Sequence, residues 1–291
     1  MPKVASNGIE IEYESFGDPA ADPILLVMGL GGQLIHWDVS FCERLAGLGH
    51  RVVRFDNRDV GLSTWFDEAG TPDLTALLAP GSTARPPYSL GDMADDAAGL
   101  LDALEIDRVH AVGVSLGGMI VQRLAIGHPE RLKSLTSVMS TTGSPKIPAA
   151  APHVMAKLLE PPPRDLEGSV ARALAMSKLV GSPAYPTPEA DVRARAVLAF
   201  ERAAHPQGAG RQLAAIFSDG DRSAALGEVQ TPALVIHGRD DALVPFAAGE
   251  ATAEALPGAR TLWVDGMGHD LPVALHETIT NAIHQHAAAN A

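Results

Sequence analysis

Six short apolar runs recur along the chain, each bounded by turn residues: Ile24–Met28, Arg51–Phe55, Val109–Val114, Leu132–Met139, Ala233–His237 and Thr261–Val264. Segments of helical period separate them, as after Ser89, where Leu90, Met93, Ala94, Ala97, Leu100, Leu101 and Leu104 form one apolar stripe. A strand-length run without polar alternation is buried on both faces, the condition of a parallel strand covered by helices on either side. The chain is thereby constrained to an α/β architecture on a mainly parallel sheet. Ile9–Phe16 obeys a different rule. There Ile9, Ile11 and Tyr13 share one face and Glu10, Glu12 and Glu14 the other, which predicts a half-exposed antiparallel strand.

From Gly143 to Ala225 the strand signal stops, and the segment carries 10 of the 22 prolines with helix-period patches at Val170–Leu179 and Val192–Ala204. Strands resume at Thr231. The expectation is one core domain, residues 1–142 and 226–291, interrupted by a helical insertion over residues 143–225.

The charge balance narrows the partners. With 22 basic and 35 acidic residues, a net charge of −13 repels phosphate backbones and anionic lipid, so neither nucleic acid nor membrane is expected as a partner. A single cysteine, Cys42, forms no internal disulfide and reads as a packed small hydrophobe. No Cys/His spacing of the zinc type occurs, and Asp92, Asp95, Asp96 and Asp102 read as the solvated face of a helix whose first turn Ser89 and Asp92 cap. His284 and His286 read as a solvated helix end, and no metal or cofactor is expected. Met1 to Glu14 lacks the basic and apolar regions of a secretory signal, and no apolar run is long enough for a bilayer, so a cytoplasmic enzyme is the expectation.

The chemistry concentrates at Gly113-Val114-Ser115-Leu116-Gly117-Gly118, between a predicted strand and a predicted helix. A nucleophile on a sharp strand-to-helix turn crowds its neighbours, so glycine is needed on both sides. A serine hydroxyl needs a base, and the base needs an acid to hold its tautomer. His269, in Gly266-Met267-Gly268-His269 after the last strand, falls at the same sheet edge, whereas His237 reads as structural. Two adjacent aspartates, Asp240 and Asp241, follow the preceding strand; spacing from Gly238 favours Asp241, with Asp240 as a loop cap. The oxyanion of such chemistry needs two N–H donors. Leu116, after the serine, supplies one, and Leu30, in Met28-Gly29-Leu30-Gly31-Gly32, supplies the other. A histidine base that must be neutral also implies activity falling below roughly pH 6 to 7.

These motifs resemble those of the α/β-hydrolase superfamily over nearly the whole chain, including Phe55-Asp56-Asn57-Arg58-Asp59-Val60-Gly61-Leu62-Ser63, which is similar to the family's D-x-R-G-x-G-x-S turn with Asp59 where glycine is common. The resemblance implies an eight-stranded, mainly parallel sheet flanked by helices, with residues 143–225 as a lid and no cofactor. Met28-Gly29-Leu30-Gly31-Gly32, the Asn57-Arg58 turn and Gly268-His269-Asp270-Leu271-Pro272 look most like aclacinomycin methylesterase and its relatives, esterases of polyketide glycosides. That likeness implies Met28 and Trp37 near the substrate, Met28 standing where many esterases carry histidine. The expected substrate is a small-molecule carboxylic ester of an apolar acid. Lactone or C–C bond hydrolysis, perhydrolysis and a non-catalytic small-molecule receptor are the alternatives on the same residues, and oligomeric state stays open.

Overall fold

The computed structural model describes residues 2–79 and 83–291. Its centre is an eight-stranded sheet made of β1 (Lys3–Ser6), β2 (Ile9–Phe16), β3 (Asp22–Val27), β4 (His50–Phe55), β5 (Val109–Val114), β6 (Leu132–Val138), β7 (Ala233–Gly238) and β8 (Arg260–Val264), in the spatial order β1-β2-β4-β3-β5-β6-β7-β8. The pairs β1–β2 and β2–β4 are antiparallel and all the other neighbours are parallel. The apolar runs divide residue by residue between two layers. Leu25 and Val27 of β3, Val109 and Ala111 of β5, and Val235 of β7 enter one core. Ile24 and Leu26, Val112 and Val114, and Leu234 and Ile236 enter the other. Period-2 geometry with apolar residues on both faces is what demands helices on both sides.

On the first face lie α3 (Leu90–Ala103) and α4 (Leu116–Gly127); on the second lie α1 (Val39–Gly47) and α11 (His276–Ala288). The remaining helices are α2 (Leu74–Leu78), α5 (Pro152–Leu159), α6 (Leu166–Val180), α7 (Glu189–Arg202), α8 (Pro206–Asp219), α9 (Ser223–Leu226) and α10 (Phe246–Ala255). Thus α5 to α9 all fall between β6 and β7, without a strand. Of these, α8 is fastened to the core: Arg211, 1% exposed, pairs through Nε at 2.7 Å with Asp59. Among the described residues no helix is long and apolar enough to cross a membrane.

Four expectations change, the first at His286, read as part of a solvated helix end but 2% exposed. The short exposed strand β1, Lys-Val-Ala-Ser, is too brief and mixed to show a period, and pairs with β2 only as its edge. Glu12 is 2% exposed rather than solvated, because the loop after β4 covers its face: its N–H donates to Ser63 Oγ at 3.0 Å. Asp96, placed on a solvated face, is 2% exposed and holds Arg58 at 2.6 and 2.7 Å. The Ser89–Asp92 capping box forms as expected. Cys42 is buried, and burial pushes its thiol up to about 12.

Candidate active site

β5 ends at Val114 and α4 begins at Leu116, leaving Ser115 alone in the turn with φ 54° and ψ −118°. Such a backbone costs about 1–3 kcal/mol in a residue with a side chain, so its surroundings must hold it. Ser115 N–H donates to Val138 O at 2.9 Å, and Ser140 Oγ donates to Ser115 O at 2.7 Å. A Cβ on Gly113 would lie 2.1 Å from Gly117 O, and one on Gly117 would lie 2.0 Å from Val27 O. The glycines on either side of the serine are therefore fixed by backbone contact.

The loop after β8 brings His269 across the sheet edge. Its Nε2 lies 3.0 Å from Ser115 Oγ and its Nδ1 lies 2.7 Å from Asp241 Oδ2. A carboxylate only accepts, so Nδ1 carries the proton and Nε2 is left to accept from the serine hydroxyl. Asp241, 6% exposed, is itself immobilised: its Oδ1 accepts from Leu243 N–H at 2.9 Å and Val244 N–H at 2.8 Å. Asp240 instead accepts from Gly266 N–H at 2.8 Å, so of the adjacent pair Asp241 faces the histidine and Asp240 closes the loop. His237, fully buried, donates Nε2–H to Val244 O at 2.9 Å; burial pulls it below the ordinary histidine range and keeps it neutral.

Leu30 lies in the loop after β3 and Leu116 opens α4. Among the described residues, neither backbone N–H donates to a protein acceptor. Sequence reading missed what holds the Leu30 loop. Asn57 donates Nδ2–H to Met28 O at 2.9 Å, and Gln212 of α8 accepts from Gly31 N–H at 2.9 Å while donating to Arg58 O at 2.9 Å. Gln33, at the loop's end, donates to Ala199 O at 2.7 Å and Ala203 O at 3.0 Å, at the end of α7. Asn57 stood in a recognised turn, but Gln212 carries no local signal.

Met28 and Trp37, which the resemblance implied near the substrate, are both buried. Trp37 is 1% exposed and stacks obliquely on Phe41 with ring centroids 5.3 Å apart, as part of the core under α1. Met28, 7% exposed, joins the same core. A cavity of about 720 Å³ opens from Leu30 and Gly31 toward Leu158, Met176 and Phe200; it reaches the site at the Leu30 loop, and Met28, Trp37, Ser115, Asp241 and His269 are not part of its wall. Its wall is mostly apolar. Among the described residues no cluster of three or more His, Cys, Asp or Glu is arranged to hold a metal ion.

The known proteins agree with this architecture. A family model described as the α/β hydrolase fold matches residues 22–273. The chain is 30% identical to the rhodomycin D methylesterase DauP of Streptomyces sp. (strain C5), over 98% of this chain and 97% of that one. It is also 30% identical to DnrP, the rhodomycin D methylesterase of Streptomyces peucetius, with the same coverage of 98% and 97%. Among solved structures it is similar to the enol-lactonase from Burkholderia xenovorans LB400, at 25% identity and a TM-score of 0.75, over 99% of this chain and 100% of that one. With a family model covering most of its length and methylesterase homologues along nearly all of it, the chain belongs to the α/β-hydrolase family.

Proposed function

We propose that the protein is a serine ester hydrolase in which Ser115 is the nucleophile, His269 the general base and Asp241 the acid that orients it. The observation that carries this reading is the unbroken hydrogen-bonded chain from Ser115 Oγ through His269 at 3.0 Å to Asp241 at 2.7 Å. In the first step Ser115 Oγ attacks the ester carbonyl as His269 Nε2 takes its proton. The tetrahedral oxyanion is met by the N–H groups of Leu30 and Leu116, and the developing charge lies at the N-terminus of α4. His269 then gives the proton to the departing alcohol, and water cleaves the acyl-enzyme by the same path.

Residues 143–225 are proposed as the cap over this site, and the cavity beneath them as the place of the acid part of the substrate. At about 720 Å³ it exceeds the needs of an acetyl group and falls in the range of sites for drug-sized ligands. Together with the methylesterase relatives, it favours a methyl ester of a bulky apolar acid. Hydrolysis of a lactone on the same residues is the second reading, favoured by the similarity to an enol-lactonase.

The test is release of p-nitrophenol from acetate, butyrate and octanoate esters by the wild type and Ser115→Ala. Turnover that rises with chain length in the wild type and falls on the order of 10⁶-fold in the variant is expected. Undiminished turnover by Ser115→Ala sinks the proposal. Turnover of lactones in preference to every open ester moves the second reading ahead.

A further inference from the structure

The cap touches the proposed machinery at a place the triad does not explain. Helix α6 ends at Val180, and its last carbonyls have no partner inside the helix. Val180 O accepts the backbone N–H of His269 at 2.6 Å. Two residues on, Ser182 Oγ accepts Gly268 N–H at 2.9 Å and donates to Asp270 Oδ1, which also accepts Ser182 N–H at 3.0 Å. Ala184 N–H donates to Gly266 O at 3.2 Å. Gly266, Gly268, His269 and Asp270 are thus each tied to the segment Val180–Ala184. A Cβ on Gly268 would lie 2.5 Å from both Val180 O and Gly181 O, so this close seat requires glycine before the histidine.

We infer that Ser182 and Asp270 are positioning residues for His269, seating the base against the end of a cap helix. The inference rests on the reading of Ser115, His269 and Asp241 as a triad. Ser182 fixes where the imidazole stands, and Asp270 adds a second carboxylate beside it. Burial raises the Asp270 carboxyl, against hydrogen bonds from Ser182 and the charges of His269 and Arg195. The charged and titratable groups around this seat are Asp241 and His237 on the loop and strand of β7, Asp270 itself, and Arg195 on α7. A near-attack geometry tolerates little displacement, and a misplacement of about 1 Å can cost on the order of 100-fold in rate.

The two residues make separable contributions. Ser182→Ala removes the tie but leaves the Asp270 charge; kcat on a p-nitrophenyl ester is expected to fall about 10- to 100-fold while KM changes little. Asp270→Asn keeps an oxygen that can accept from Ser182 but loses the charge that favours the imidazolium, so the acid limb of the kcat/KM profile moves to lower pH. Ser182→Thr, which keeps a hydroxyl, is expected to recover most of the rate. The rate of fluorophosphonate labelling of Ser115 reads the same positioning without regard to the substrate, and thermal unfolding separates lost activity from lost folding. Lys178→Ala, on the exposed side of the same helix, serves as the control.

If Ser115→Ala keeps turnover and labelling, the triad reading and this inference fall together. If Ser115 is required, yet folded Ser182→Ala and Asp270→Asn match Lys178→Ala in kcat, labelling and acid limb, the inference alone falls.

Discussion

The sheet and the outer helices of the insertion are held by different forces. In β5 and β7 every residue is buried. In α7 none is, and α6 buries only Val170 and Val180. The insertion's own apolar cluster has three buried members, Ala150, Val154 and Val180. Apart from Ala215 of α8, which enters the sheet's own core, what joins it to the core is directional: Gln33 on the α7 carbonyls, Arg202 of α7 on Asp56, Ser182 on the His269 loop, and Arg211 of α8 on Asp59. Apolar burial is proportional to area and indifferent to partner, whereas these ties depend on individual pairs. An insertion held this way depends on its few polar seats more than on its apolar surface.

Breaking a tie is therefore expected to cost at least as much stability as opening a cavity in the sheet. Arg211→Met leaves Asp59, fully buried, without its cation, and breaking a buried pair costs about 3–5 kcal/mol. Asp59→Gly sharpens the point. Asp59 has φ 68°, so glycine relieves backbone strain of about 1 kcal/mol, but buried Arg211 loses its bidentate partner and keeps only Asp67 Oδ1, 3.1 Å from Nη2, as a carboxylate, and the net change is expected to be a loss of about 2–4 kcal/mol. For comparison, Leu26→Ala in β3 removes a fully buried side chain and costs about 2–5 kcal/mol. Urea unfolding measures all three. If Arg211→Met costs under about 1 kcal/mol, α8 is held by its apolar side and the contrast between the two regions fails.

The same division decided what could be read in the sequence. The six apolar runs gave the parallel strands because burial on both faces leaves a local trace. Gly113, Ser115 and Gly117 were legible because a tight turn excludes side chains, and Asp241 was separable from Asp240 by spacing. Asp96, Glu12 and His286 looked solvated, since charge usually is. They are buried because partners from distant segments reach them: Arg58 for Asp96, the Ser63 loop for Glu12, and Pro232 O, 3.2 Å from Nε2, for His286. Gln212 is 181 positions from the loop it holds, and Ser182 is 86 from Gly268, so neither can be found by periodicity.

Acid should also act on the core. His50, His110, His276 and His286 are all pulled below the ordinary histidine range, burial being the largest cause in each. Their surroundings include Asp22 and Lys133 beside His110, and His284, whose Nδ1 lies 2.9 Å from His50 Nε2. Below about pH 6.5 the unfolded chain binds protons that these buried rings refuse, so stability is fully present above that value and falls as pH drops through it. Asp22 is lowered despite burial, by Lys133 and His110, and its contribution is lost only below about pH 4. The urea midpoint is expected to decline from pH 7 to pH 5, with a shallower decline in His50→Gln/His110→Gln. A midpoint that is level over this range shows that the rings are protonated in the fold.

The smallest effect is expected at Leu198, 53% exposed on α7. Leu198→Ser removes apolar surface that water already reaches and exchanges a good helix former for a weaker one, at about 0.5 kcal/mol. Stability is expected to change by no more than about that amount, with ester turnover unaltered. This substitution tests the insertion half of the comparison most directly, because α7 buries no residue and is placed by what Gln33 does to its final carbonyls and by the pair of Arg202 with Asp56 at 2.8 Å. If Leu198→Ser costs more than about 1 kcal/mol, the helix owes its position to apolar contact after all. If it costs little but turnover changes, Leu198 faces the substrate path, and the insertion's outer surface takes part in selecting what enters.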